Sequence, residues 1–149
     1  MIKYFAKYKS TIAQRIPAES ILDYGCGDGR NIKHFIKYYP TVYGYDPAYS
    51  ISVLPKSKVD LIFVANVLHH SGINELKNII RYGDRIIIFE HNPYNLITRL
   101  IVKFAKIDKG VTLIKRKELI KKLENLGFKI IKKKYTLFLT QYYIYALET

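Results

Sequence analysis

Only one cysteine, Cys26, occurs in the chain, which excludes an internal disulfide and any zinc site built from several thiolates. No apolar run comes near the roughly 20 uninterrupted residues that cross a bilayer as a helix. The opening stretch, "MIKYFAKYKS", is studded with lysines and has neither an apolar signal core nor a small-residue cleavage site. A cytoplasmic location is therefore the expectation. Acidic residues are scarce: 12 Asp and Glu face 25 Lys and Arg, a formal charge of +13. Such an excess suits an anionic partner, whether nucleic acid, lipid headgroup or acidic small molecule, or else a lysine-rich solvated surface. Repeats, linkers and low-complexity segments are absent, so the 149 residues read as one domain, 1–149, large enough for a continuous core.

The periodicities that are present alternate between strand and helix. Tyr4, Tyr8, Ile12 and Ile16 recur at helical spacing up to Pro17, so an amphipathic helix precedes the first strand. "ILDY" (21–24) reads as a short buried strand, "RNIKHFIKYY" (30–39) as a helix stopped by Pro40, and "TVYGYD" (41–46) as a second strand. "VDLIFVANVL" (59–68) is nearly continuous apolar sequence, the pattern of a parallel strand covered on both faces. A helix over "INELKNIIRYG" (73–83), with Gly83 after its last turn, leads into a further buried strand, "DRIIIFE" (84–90). Helices follow over 94–106 and 115–128, the second placing Leu119, Ile120, Leu123 and Leu126 on one face before Gly127. The strand pair "FKIIKKKYTLF" and "YYIYALE" ends the chain. This order predicts an α/β sandwich around a mainly parallel sheet.

The connection between Asp46 and Asp60 is unusually short, with 13 residues, "PAYSISVLPKSKV". A parallel crossover takes about a dozen or more. One connection therefore fits, but two crossovers with an extra strand do not.

Three of the eight glycines stand at alternate positions in "ILDYGCGDGRNIKHF" (21–35), between a strand and a helix. Glycine tolerates positive φ and lets a ligand lie against the peptide. The free N–H groups of a following helix favour negative charge. Asp46, at the tip of the second strand, is placed to accept hydrogen bonds from ribose hydroxyls. The third glycine arrives one position earlier than in the dinucleotide fingerprint G-x-G-x-x-G, which argues against a nicotinamide oxidoreductase.

"LDYGCGDGR" closely resembles the first motif of the class I S-adenosylmethionine-dependent methyltransferases. "VYGYDP" resembles their second motif and "VDLIFVANVLHH" their fourth; "RIIIFEHNPYN" and the region from "LIKRKELIKKLENLGF" onward resemble later parts of these enzymes. The likeness runs from residue 18 to 148. It implies a Rossmann-like three-layer fold with a sheet of about six strands, the last antiparallel. It further implies S-adenosyl-L-methionine as cofactor, with Gly25, Gly27 and Gly29, and Cys26 among them, along its methionine and ribose. Asp23 would lie near the amino group, Asp46 would hold the ribose hydroxyls, and Asn66 and Leu68 would border the sulfonium and methyl. A local backbone cap is the simpler reading of Asp23. Family members carry a helix and a third strand where this chain has its short connection. That strand should be missing here, with adenine gripped instead by Tyr45, Pro47 and the 48–56 segment, or with a second chain completing the pocket in a dimer.

Alignment of acceptor, methyl and sulfur is chiefly positioning, and a hydroxyl acceptor gains from a general base. His69, His70 and His91 are the candidates, with His70 first because it lies just beyond the fourth-motif strand, and His91 next; a helix-capping or surface role is the alternative for each. Some relatives carry acidic residues at the places of Asn66 and His69 in connection with a metal; this chain lacks that pair, and no metal is expected. Glu90, His91 and Asn92 are candidate substrate contacts. Arg99 and Asp108 suit a salt bridge or cap as well as a substrate contact. Between Arg99 and Lys134 lie 13 Lys or Arg against three acids, so this half is the electropositive side. "LITRLIVKFAK" suits a lipid surface, whereas no recognised nucleic-acid module accompanies the charge. The sequence thus points to methyl transfer to a small-molecule or lipid- or glycan-linked acceptor. The alternatives are a cofactor-binding module without catalysis and an RNA or DNA methyltransferase.

Overall fold

The computed structural model of the chain describes residues 2–50, 52–104 and 110–149; Asp108 lies outside them. Its strands are β1 (Ser20–Tyr24), β2 (Thr41–Tyr45), β3 (Ser52–Val53), β4 (Leu61–Ala65), β5 (Arg85–His91), β6 (Phe128–Thr136) and β7 (Gln141–Glu148). They form one sheet in the order β3-β2-β1-β4-β5-β7-β6. β2, β1, β4 and β5 run parallel, and β7 is antiparallel to both β5 and β6. Chain order reverses at β1, with β2 on one side and β4 on the other, and in open α/β sheets a ligand site lies beyond the carboxyl ends of the strands at such a reversal.

Alternation along the central strands builds two cores. Leu22, Ile62, Val64, Ile86, Ile88 and Ile144 face one side and pack with residues of α3 (Leu68–Ser71), α4 (Leu76–Ile79) and α6 (Arg116–Asn125). Ile21, Leu61, Phe63, Ile87, Phe89 and Tyr143 face the other, under α1 (Ile2–Ala13) and α2 (Ile32–Phe35). The near-continuous apolar runs of the sequence are thus strands covered on both faces. The remaining helix, α5 (Leu96–Phe104), follows β5.

Three details depart from the periodicity reading. The 30–39 segment holds only four α-helical residues; around them hydrogen bonds such as Asn31–His34 and Phe35–Tyr38 close three-residue turns. Asn31, at the N-cap, makes no side-chain cap, and the aromatic and β-branched residues here propagate a helix poorly. The 73–83 helix is likewise reduced to α4 between two 3₁₀ turns. Gly83 does not end it in a left-handed cap: its φ of 179° is extended, and a Cβ there would stand 2.7 Å from the Val59 carbonyl oxygen. Finally, the short 47–59 connection does contain a strand. β3 pairs antiparallel with β2, a return that needs no crossover, and so occupies the edge where a parallel third strand has no room.

Candidate functional site

The glycine turn sits at the end of β1 and is stapled to β2. The Tyr45 carbonyl accepts from the N–H groups of Gly25 (2.7 Å) and Cys26 (3.1 Å). Gly25, Gly27 and Gly29 have φ of 77°, 54° and 79°, all in the left-handed region. The first two differ in what surrounds them. A Cβ on Gly25 would fall 2.2 Å from Val67 Cγ2, so that glycine serves close packing against the segment after β4. At Gly27 no atom lies within 4 Å of the Cβ position, which leaves a bare, open stretch of main chain.

Asp46 follows β2 and turns toward this stretch. Its Oδ2 accepts from the Gly27 N–H and its Oδ1 from the Ala48 N–H, both at 2.9 Å. Pro47 is exposed beside it, whereas the Tyr45 ring packs 5.1 Å from Tyr24 on the α3 side of the sheet. Cys26 is buried, and burial, assisted by Asp23 and Asp46, pushes its thiol up to about 11. It is a packed neutral thiol at neutral pH.

Two side chains here bury oxygens that make no hydrogen bond of good geometry among the described residues: both oxygens of Asp23, although the Asn31 side chain and the Lys9 ammonium stand near enough to act on the carboxyl, and Asn66 Oδ1. Burial pushes the Asp23 carboxyl up to about 7, opposed by Asn31 and the Lys9 ammonium and reinforced by Asp46. Lys9, on α1, is itself buried and lowered to about 8 by desolvation, with Glu90 and Asp23 working against that shift. Asn66 has a φ of 59° just beyond β4, an uncommon conformation that asparagine tolerates better than most residues.

Across the same edge, β5 and α3 bring three histidines together. The His69 ring lies 4.1 Å from that of His70 and 4.9 Å from that of His91. His69 is buried, with Nδ1 2.7 Å from Glu90 Oε2; Glu90 Oε1 accepts from the N–H groups of Val67 (3.1 Å) and Leu68 (2.7 Å). One carboxylate therefore anchors both the histidine and the turn into α3. His70 is exposed and His91 half-buried. Leu68 is fully buried at the start of α3. A groove of about 500 Å³ runs past His69 and His70 to the 110–114 segment and Glu118. A second, of about 620 Å³, continues along Leu96, Arg99, Leu100 and Lys103. The two share Gly110, Val111 and Leu113.

Of the other candidate substrate contacts, Glu90 is engaged as described above, and Asn92 donates from Nδ2 to the Leu139 carbonyl at 2.7 Å and accepts from the Tyr94 N–H at 3.1 Å. The positioning of His69 by Glu90 and the burial of Lys9 beside Asp23 had no counterpart in the sequence reading. A charged residue within an apolar run, Glu90 after "RIIIF", was the available signal for the first. For Lys9 there was none, because α1 is lysine-rich throughout.

No family model and no curated protein sequence matches the chain. Solved structures do. Magnesium protoporphyrin IX methyltransferase from Synechocystis PCC 6803, with bound SAH, superposes with a TM-score of 0.73 at 17% identity, over 99% of this chain and 83% of that one. An S-adenosylmethionine-dependent methyltransferase from Archaeoglobus fulgidus gives 0.76 at 16%, covering 99% and 93%. One from Aquifex aeolicus gives 0.69 at 16%, covering 95% and 89%. At such identities the likeness speaks for the fold, and the fold is that of the class I S-adenosylmethionine-dependent methyltransferases.

Proposed function

We propose that the protein is a methyltransferase that uses S-adenosyl-L-methionine and acts on a small acceptor, free or linked to a lipid or glycan. The observation that carries this reading is the buried, poorly satisfied carboxyl of Asp23 and the buried Asn66 Oδ1, beside the open main chain at Gly27. A buried carboxylate whose hydrogen bonds are incomplete is costly, and a ligand bearing an ammonium and hydroxyls would relieve it. The residues fit such a ligand: Asp23 and Asn66 toward its cationic end, Gly25 to Gly29 along its length, and Asp46 at its sugar. Tyr45, Pro47 and the segment leading to β3 are the residues that would border the base. The bound cofactor supplies an activated methyl group.

The chain's own contribution is to orient the acceptor and take its proton. His70, exposed and lining the groove, is our first choice of proton acceptor, and His91, the other ring packed against His69, the second. Glu90 holds the His69 ring, and with it the face against which both pack. Structural neighbours include the mitomycin 7-O-methyltransferase and the Synechocystis enzyme named for magnesium protoporphyrin IX, both named for small molecules, which favours a small acceptor over nucleic acid.

Isothermal titration with S-adenosylhomocysteine tests the first half: heat is expected, and its absence abandons the reading. Cell extract incubated with labelled cofactor tests the second, with a labelled acceptor expected and Asp46→Ala abolishing the label. Heat without any label favours a cofactor-binding module, a possibility that the two-residue β3 edge keeps open. Retardation of RNA or DNA in a low-salt gel shift redirects the search to nucleic acid.

A further inference from the structure

We propose that α5 and the β6–β7 turn form a surface that docks on an anionic phospholipid bilayer. The helix wears its apolar side outward. Thr98 and Val102 face the protein, while Leu96, Ile97, Leu100, Ile101 and Phe104 are exposed, Phe104 to 76%. At about 100° per residue these five occupy a continuous arc of roughly 140°. Single exposed apolar residues are ordinary, but a contiguous set marks an interaction surface.

The turn beside it extends the patch. Leu137, Phe138 and Leu139 have φ of 51°, 56° and 65°, three successive non-glycine residues in the left-handed region. Such a run persists only where neighbouring contacts dictate it. Here Asn92 donates from Nδ2 to the Leu139 carbonyl (2.7 Å) and Thr98 donates from Oγ1 to the Thr140 carbonyl (2.8 Å), which binds the turn to the start of α5. The outcome is Phe138 held 92% exposed next to an apolar helix face.

Charge identifies the occupant. Arg99 and Lys103 line the flank of the apolar arc, and Lys132, Lys133 and Lys134 stand exposed on β6 as it approaches the turn. Two copies of the chain meeting through this face would bring like charges together around a short helix. An anionic lipid surface neutralises them while the aromatic and aliphatic side chains enter the headgroup boundary. The groove along Leu96, Arg99, Leu100 and Lys103 borders the same face and meets the histidine groove at Gly110, Val111 and Leu113. An amphiphile with an anionic head could enter from the lipid side.

Co-sedimentation of the full chain with vesicles tests the proposal: phosphatidylcholine alone, and phosphatidylcholine mixed with phosphatidylglycerol. Binding is expected to the mixed vesicles only, weakened by salt. The double substitution Phe104→Ser with Phe138→Ser should weaken it on the order of ten-fold or more. Both side chains are exposed, so an unchanged thermal melt should accompany the loss. Failure to sediment, equal sedimentation with neutral vesicles, or full binding by the double variant overturns the proposal. So does a concentration-dependent dimer, seen by light scattering and abolished by the same substitutions, without vesicle binding; that result assigns the face to a second copy. None of these readouts uses the cofactor, so the methyl-transfer reading stands or falls separately.

Discussion

Alanine at Gly27 and alanine at Gly25 should fail in different ways, and the difference follows from what each Cβ would meet. At Gly27 the backbone is left-handed and the surroundings are open, so the folded chain bears only the conformational cost, about 1–2 kcal/mol. For a chain of this length the unfolding entropy is about 0.3 kcal/mol per K, so the melting temperature should fall by roughly 3–6 °C. Gly25→Ala carries the same cost plus an overlap at 2.2 Å with Val67, which must rotate or move the segment after β4. Overpacking of that kind adds about 1–3 kcal/mol, so its melting temperature should fall about twice as far. Cofactor affinity should show a sharper contrast at Gly27. A methyl group standing where the ligand meets the peptide removes about 2–3 kcal/mol, or on the order of 30- to 150-fold in Kd. Melting followed by circular dichroism and titration with S-adenosylhomocysteine provide both readouts. A folded Gly27→Ala protein that binds with unchanged affinity would show that the ligand does not lie on that stretch, and the proposed site would be lost. A larger melting shift at Gly27 than at Gly25 would refute the packing argument.

The other expectations concern buried charge. Asp23 binds its proton more readily folded than unfolded, so its contribution is present at acid pH and lost as pH rises from about 4 to about 7. Asp23→Asn should flatten melting temperature against pH in that window, stabilise the free protein above it, and weaken S-adenosylhomocysteine binding. Lys9 has the opposite sense: the unfolded chain holds its proton more tightly, so stability rises between pH of about 8 and about 10.5, and Lys9→Met should remove that rise. Glu90→Ala strips the acceptor from His69 and two N–H groups and should cost about 3 kcal/mol, seen as a melting shift near ~10 °C. Glu90→Gln keeps an acceptor for the N–H groups and should lose methyl transfer more than stability. Tyr142→Phe removes the bond from its buried hydroxyl to the Ile114 carbonyl (2.8 Å); a loss of about 1–2 kcal/mol is expected in denaturant unfolding.

Much of this molecule follows from local chemistry. The apolar runs within 59–68 and 84–90 read as strands covered on both faces, and they are β4 and β5, because alternate side chains on each strand fill separate cores. The glycine spacing announced a left-handed turn, because only glycine adopts those φ values at no cost in three positions so close together. The count of residues between Asp46 and Asp60 excluded a parallel third strand, because chain length limits a crossover.

Tertiary structure decided what no local pattern encodes. Whether the 30–39 and 73–83 segments remain α-helical depends on competition between weak propensities and the contacts that Phe35, Tyr39, Leu76 and Ile79 must make in the cores. The apolar stripe of α5 was visible as periodicity, yet periodicity cannot say which side the protein covers; here the buried side is Thr98 and Val102. The meetings of Lys9 with Asp23, and of Glu90 with His69, join residues far apart in the chain. They exist because strand order places β1, β4 and β5 side by side between α1 on one face and α3 on the other, and the cost of burying charge then selects the partners.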